Sequence, residues 1–361
     1  MPSFSPEEYR AARTGAALVD RSERGRIAAI GADRLAYLHA MLTNDILSLR
    51  PGTGCYAAYL TPQGRTIADM LVLELGDLTL LDVEASTRAV VLEKLEQFIF
   101  SEDVQLSDLT SELAELRVAG PRAADVLAAT FTSAGPAAER GETAQAEVAI
   151  RALPEYHSLR AAFHATSVVT VADRELGVPA FNLYLNREQA PALKDALRAS
   201  GAMEIGREVE DALRIEAGRP RFGVDMDETT IPLEAGIETR AISFTKGCFP
   251  GQEVITRVLH RGHGRVAKKL VGLKCESTVE HGPGPAYADV VPAPGDALVA
   301  DDREIGRVTS ATMSPVLQRA IALGYVQRDF AAPGTAASIV HAGRRLPATV
   351  VDLPFVGPTP P

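Results

Sequence analysis

The first part of the chain alternates between helical and extended patterns of apolar side chains. A capping box over residues 5–8, with proline at the first helical position, predicts an N-terminal helix. Leu35, Leu38 and Leu42 recur at helical spacing, and the run from Cys55 to Val83 has strand-like stretches separated by turn residues. This mixture predicts an α+β fold.

A segment rich in Ala, Gly, Ser, Thr and Glu interrupts the apolar pattern near residues 130–147. Such a composition without periodicity predicts a loop between two lobes. Beyond it, strand-like runs at 148–153, 161–171 and 181–185 alternate with helical patterns up to about residue 216. We therefore expect residues 1–265 to form two α+β lobes.

The helical pattern disappears after Gly262. Short apolar stretches spaced by glycine and proline follow from Leu270 to Val351. Several short strands in succession predict a separate all-β domain over residues 266–361.

Composition excludes several classes of function. The 361 residues include 37 Lys and Arg against 47 Asp and Glu, a formal net charge of −10, which gives no basis for direct binding to nucleic acid. No apolar run approaches the roughly 18 residues that span a bilayer. The 3 cysteines are widely spaced and favour a reducing compartment, and no Cys or His spacing indicates a metal site. We expect a cytoplasmic protein without membrane or nucleic-acid partners.

The segment 244–258 is the strongest candidate for chemistry. An apolar stripe over 254–259 predicts a helix that begins near Pro250, so Cys248 would lie just before a helix N-terminus. Unpaired amides at that terminus and the cation of Lys246 would favour the thiolate form. The alternative is a buried cysteine that packs as a small hydrophobic side chain.

This segment also carries a family resemblance. Lys246-Gly-Cys-Phe-Pro-Gly-Gln-Glu253 is similar to the Lys-Gly-Cys-aromatic-x-Gly-Gln-Glu signature of the YgfZ-like folate-binding proteins. Those proteins are relatives of the glycine-cleavage T-protein (aminomethyltransferase) and of the mitochondrial iron–sulfur assembly factor. Residues 63–69, 213–225 and 232–235 resemble other parts of the superfamily, so the resemblance covers nearly the whole chain.

The resemblance implies an α+β, three-lobed aminomethyltransferase-like fold. Two α+β lobes and a C-terminal β-barrel would surround a central funnel that holds a reduced folate, tetrahydrofolate. It implies folate contacts from Asp69, Asn182 and Arg214. Where the T-protein has a carboxylate for the pterin, this chain would have Asn182, and of two successive acids it would keep Asp69.

These departures disfavour aminomethyl transfer, so the resemblance implies a different function. We expect a folate-binding protein that supports iron–sulfur cluster assembly or repair in client enzymes and, through them, tRNA modification. Cys248 would be the functional thiol, with further ligands from a client because one thiolate cannot hold a cluster. The motif residues around it are Lys246, Gly247, Phe249, Gly251, Gln252 and Glu253.

Two other functions stay open at this point. One is a folate-dependent aminomethyltransferase or a demethylase of a small methylamine. The other is a folate-binding scaffold in which Cys248 has no redox role.

Overall fold

The computed structural model describes residues 4–133, 147–164, 166–260, 264–276 and 290–359. They form two β-sheets with helices on their outer faces and a closed C-terminal barrel of six strands. This architecture confirms the predicted fold class of two α+β lobes with a C-terminal β-barrel. Within the described residues, no helix has both the length and the apolar character needed to cross a bilayer.

The principal elements have the following bounds. The helices are α1 (Pro6–Thr14), α2 (Arg34–Met41), α3 (Arg88–Glu96), α4 (Ala123–Ser133), α5 (Ala190–Ala199), α6 (Arg207–Glu216), α7 (Pro232–Ala235), α8 (Glu238–Ala241) and α9 (Gln252–His260). The strands are β1 (Ala17–Asp20), β2 (Gly25–Ile30), β3 (Thr53–Leu60), β4 (Thr66–Glu74), β5 (Thr79–Val83), β6 (Gln105–Asp108), β7 (Leu113–Ala119), β8 (Ser158–Phe163), β9 (Thr166–Asp173), β10 (Ala180–Asn186), β11 (Met203–Glu204), β12 (Lys268–Cys275), β13 (Ala297–Ala300), β14 (Arg303–Ser314), β15 (Arg319–Gln327), β16 (Ala336–His341) and β17 (Arg344–Val351).

The five-stranded sheet has the order β3-β4-β5-β2-β6, with antiparallel neighbours. Its outer face packs against α2 and α3 through a core that includes Leu38 and Val91. Because directly opposed residues of antiparallel strands share a face, the register places Tyr56, Asp69 and Asp82 together on the inner face. The inner face is therefore where this sheet carries its polar side chains.

The six-stranded sheet has the order β11-β1-β7-β10-β9-β8. Its outer face packs against α4 and α5 through residues such as Leu116 and Leu183. The alternate positions Arg117, Asp173 and Asn182 point to the other face, toward the five-stranded sheet. The two sheets thus enclose charged side chains as well as an apolar core.

The barrel is closed because β12 pairs with both β15 and β17. Helix α6 joins it to the rest of the protein through two buried polar contacts. Arg214 Nη2 donates to Ser310 Oγ at 2.7 Å and also pairs with Asp225, while Glu216 accepts from Tyr9 at 2.8 Å and from Ser314. These contacts fix the barrel against the end of α6.

One element and two boundaries differ from the sequence predictions. Residues 147–151 are helical where a strand was expected over 148–153. A loop was expected from about residue 130, but α4 continues to Ser133, and the Thr130 hydroxyl donates to the Val126 carbonyl at 2.8 Å. Most of that predicted loop lies outside the described residues. Helix α9 begins at Gln252, two residues after the predicted start at Pro250.

The motif before α9 packs tightly against the turn between β3 and β4. Gly251 has a φ of +83°, and a Cβ there would lie 2.6 Å from the Thr61 carbonyl oxygen and 2.9 Å from Gly64 Cα. Phe249 and Ile255 on either side are buried in the core between the sheets. Glycine at 251 therefore allows two backbone segments to approach closely.

We expect Gly251→Ala to lower the free energy of unfolding by about 2–4 kcal/mol, because it combines left-handed backbone strain with a steric clash. Gly247→Ala is the matched control in the same loop, since a Cβ there meets no atom within 4 Å. It should change stability by less than about 1 kcal/mol. Urea unfolding measures both, and equal effects would contradict this account of the motif.

Candidate functional site

A polar cavity lies between the inner faces of the two sheets. Its volume is about 640 Å³ when the mouth open to solvent is included. Cationic and anionic side chains from both sheets and from the segment after α6 line it, among them Arg24, Tyr56, Asp69, Arg117, Glu175, Glu210 and Arg219. Charged groups of both signs that converge in one cleft are typical of a ligand site.

Asp69 lies on β4 and faces this cavity. The hydroxyl of Tyr56 donates to Asp69 Oδ2 at 2.6 Å. Burial raises the pKa of Asp69 to about 6, and the hydrogen bond from Tyr56 only partly offsets that rise. Asp69 can therefore hold or release a proton near neutral pH.

Glu175 reaches the same cavity from the turn between β9 and β10. Its Oε1 accepts a hydrogen bond from Tyr156 at 3.0 Å and pairs with Arg240. Burial opposes the ionisation of Glu175, but the positive charges of Arg240 and Arg219 outweigh it and lower its pKa. The cavity thus contains a permanent carboxylate beside a carboxyl that titrates near neutral pH.

Arg117 on β7 organises the floor of the cavity. It pairs with Asp173, donates from Nη1 to Glu210 at 2.8 Å and donates from Nε to Asn182 Oδ1 at 2.7 Å. Asn182 Nδ2 in turn donates to Asp173 at 3.1 Å, and Asn182 is 0% exposed. Both polar groups of Asn182 are therefore used inside the protein.

A buried cluster of polar side chains around Asp82 joins the two sheets directly. Tyr184 on β10 donates to Asp82 Oδ2 at 2.6 Å, and Arg24 Nε donates to Asp82 Oδ1 at 2.6 Å. Burial opposes the ionisation of Asp82, but Arg24 and Arg21 outweigh it and lower its pKa. Asp82 thus joins the two sheets beside the cavity, because its partner Arg24 is one of the lining residues.

The three predicted folate contacts have different surroundings. Asp69 faces the cavity, whereas Asn182 lies under its floor and is not part of its described lining. Arg214 lines one end, but its guanidinium is held by Asp211, Asp225 and Ser310. The structure brings Asp69 together with Glu175 rather than with Asn182, and contact of any of them with folate stays a prediction.

The motif residues lie apart from the described lining of the cavity. Cys248 is exposed in the loop before α9, and Gln252 and Glu253 begin that helix. Lys246 Nζ donates to the carbonyls of His39 and Leu42 at the C-terminal end of α2. Burial lowers the pKa of Lys246 to about 8. The ammonium group of Lys246 therefore binds the carbonyls at the end of α2 rather than stabilising the thiolate of Cys248.

Sequence reasoning missed Glu175. It follows β9 within Arg174-Glu-Leu-Gly177, where Gly177 has a φ of +67° and turns the chain into β10. Two charged residues at a tight turn between apolar strands are the signal that was available. The partners that give Glu175 its charge come from distant segments, which no local pattern reveals.

Comparison with known proteins gives the family. Residues 1–246 match the GCVT N-terminal domain, and residues 268–357 match the glycine cleavage T-protein C-terminal barrel domain. The chain belongs to the glycine-cleavage T-protein family. The aminomethyltransferase of Geobacillus kaustophilus is 32% identical over 97% of this chain and 89% of its own length. That of Rubrobacter xylanophilus is 32% identical over 96% and 85%.

A solved structure shares the fold of this T-protein family member. The glycine cleavage system aminomethyltransferase T from Bartonella henselae superposes with a TM-score of 0.82 at 23% identity. It covers 98% of this chain and 89% of the Bartonella chain. The T-protein family uses tetrahydrofolate, as the sequence analysis expected.

The predicted function in iron–sulfur cluster assembly is wrong. Curated relatives that match nearly the whole chain are aminomethyltransferases, which favours the folate-dependent alternative. Support for iron–sulfur clients and for tRNA modification is lost with it. The motif does not identify the reaction. Its glycine and aromatic positions are explained by packing against the β3–β4 turn and in the core between the sheets.

In the Asp69→Asn variant, the free energy of unfolding should fall less as the pH rises than it does in the wild type. The folded-state pKa of about 6 exceeds the unfolded value of about 3.9, so the folded state binds more protons between them. Wild-type stability therefore loses about 2 kcal/mol, relative to the Asn variant, as the pH rises from 4 to 8. Chemical unfolding at both pH values measures this, and parallel pH curves would show that Asp69 has an ordinary pKa.

Cys248 should be the first of the three thiols to react in the native protein. It is exposed, whereas burial raises the pKa of both Cys55 and Cys275 to about 12. Iodoacetamide labelling followed by mass spectrometry gives the rate at each site. Modification of Cys55 or Cys275 at the rate of Cys248 would contradict the packing described here.

Proposed function

We propose that this protein is a folate-dependent aminomethyltransferase. The carbon of a donor-bound aminomethyl group forms bonds to two nitrogens of tetrahydrofolate, and its bonds to the amine and to the donor break. The two protons displaced from those nitrogens leave on ammonia and on the released donor. The observation that carries this proposal is the pair of carboxyls in one cavity, with Asp69 able to carry a proton and Glu175 held as an anion. Family membership along nearly the whole chain supports the same reaction.

The residues of the cavity fit a reduced folate. A pterin presents N–H donors, which match an ionised carboxylate such as Glu175, whose Oε1 already accepts from Tyr156 and pairs with Arg240. A neighbouring cavity shares Arg219 with it, which supports a long ligand that extends beyond the first cavity.

In this proposal different residues of the cavity bind the ligand and transfer the proton. Bound tetrahydrofolate supplies the two nitrogens that accept the one-carbon unit. Asp69 Oδ1 or Oδ2 holds or releases the proton that departure of the amine requires, with Tyr56 fixing its orientation. Glu175 orients the ligand.

Two finer statements remain predictions. Placement among the YgfZ-like proteins depends on the Lys246–Glu253 motif. A catalytic role for Cys248 depends on the same motif, and the exposed thiol lies apart from the described cavity lining. Cys248→Ala in a turnover assay tests the second statement directly, because a catalytic thiol requires that turnover is lost.

With an aminomethyl donor and tetrahydrofolate, the purified protein should form methylene-tetrahydrofolate. Asp69→Asn should lower kcat by about 100-fold or more, since it removes a proton donor and acceptor. Glu175→Gln should mainly raise the KM for the folate, by about 10-fold, since it removes the charge from a charge-assisted hydrogen-bond pair.

Asp195→Asn is the matched control, because this carboxylate on α5 is 77% exposed and lies outside the cavity lining. It should leave kcat and KM unchanged. A folded wild-type protein that neither binds tetrahydrofolate by calorimetry nor forms the product would contradict the proposed function.

A further inference from the structure

Arg240 on the short helix α8 is linked to both carboxyl groups of the cavity, Glu175 and Asp69. Its Nη1 pairs with Glu175 Oε1. Its Cζ lies 4.8 Å from the centre of the Tyr56 ring, and the Tyr56 hydroxyl is the donor to Asp69. One guanidinium therefore touches one carboxylate directly and the other carboxyl through a single side chain.

The backbone of Arg240 is fixed relative to the same tyrosine. Asn44 Nδ2 donates to the carbonyl oxygen of Arg240 at 3.0 Å and to that of Tyr56 at 2.8 Å. One amide group thus ties α8 to β3. The position of the guanidinium over the ring follows from this bridge as well as from the ion pair.

We propose that Arg240 is a positioning residue that holds Glu175 for ligand binding and holds Tyr56 in the orientation that serves Asp69. The consequence for turnover rests on the proposed function. Arg240 is absent from the described lining of the cavity, so it acts through its neighbours rather than on the substrate.

Several charged or titratable groups face Glu175 from the elements around it. They are Arg240, Arg219, Tyr156, Arg117, Glu155 and Asp69. Among the attractive charges Arg240 has the largest effect on the pKa of Glu175, after the opposing effect of burial. Burial raises the pKa of Tyr56, and Arg240 opposes that rise, which strengthens the hydroxyl as a donor to Asp69.

The two functions of Arg240 can be separated by substitution. Arg240→Lys keeps the positive charge near Glu175 but removes the planar group over Tyr56. We expect KM for tetrahydrofolate to stay within about twofold and kcat to fall by about 5- to 10-fold. Arg240→Gln also removes the charge, so KM should rise by about 10-fold in addition.

Asn44→Ala tests the backbone bridge without changing any charge. It should lower kcat and leave the KM for tetrahydrofolate unchanged. Arg257→Gln on the exposed side of α9 is the control for loss of a cation and should change neither constant. Equal effects of the Lys and Gln variants on both kcat and KM would overturn the division of roles.

A measurement without ligand separates this inference from the proposed function. In protein labelled with ¹³C-glutamate, the Glu175 carboxyl signal is assigned by its loss in Glu175→Gln and then followed against pH. The titration midpoint should rise by about one unit or more in Arg240→Gln and stay close to the wild-type value in Arg240→Lys. An unchanged midpoint in Arg240→Gln would overturn the inference, whereas absence of turnover in the wild type would overturn only the proposed function.

Discussion

Charged side chains enclosed between two β-sheets must each find a partner, because a buried ion without one costs several kcal/mol. Here Arg117 meets Asp173 and Glu210, and Asp82 meets Arg24 and Tyr184. The second contact crosses from one sheet to the other. A one-residue slip of either sheet would turn these side chains toward an apolar layer, so the ion pairs and the outer cores require the same register.

The same requirement explains why two carboxyls in one cavity differ in charge. Glu175 has the cations Arg240 and Arg219 near it, and their attraction outweighs the cost of burial. Asp69 has the neutral hydroxyl of Tyr56 as its direct partner, which offsets burial only in part. A neutral donor in place of a cation is therefore what leaves Asp69 able to exchange a proton near neutral pH.

The Lys246–Glu253 motif shows how a specific local sequence can have a structural cause. Lys246 binds carbonyls at the end of α2, Phe249 is buried, and Gly251 allows the backbone to approach the β3–β4 turn. These contacts constrain the sequence of the loop whatever reaction the cavity supports. The whole-chain relationship to the T-protein family favours aminomethyl transfer over the function that this one segment suggested.

Local patterns in the sequence determined the class of the fold. The N-terminal capping box forms as expected, and the short apolar runs after Gly262 form the closed barrel. These features depend on interactions between neighbours in the chain or on apolar periodicity, and both are visible in one sequence. The cavity depends instead on Glu175 meeting Tyr156 and Arg240, which are 19 and 65 residues away. Which carboxyl keeps its proton is set by such distant partners and by burial, and only the tertiary structure brings those together.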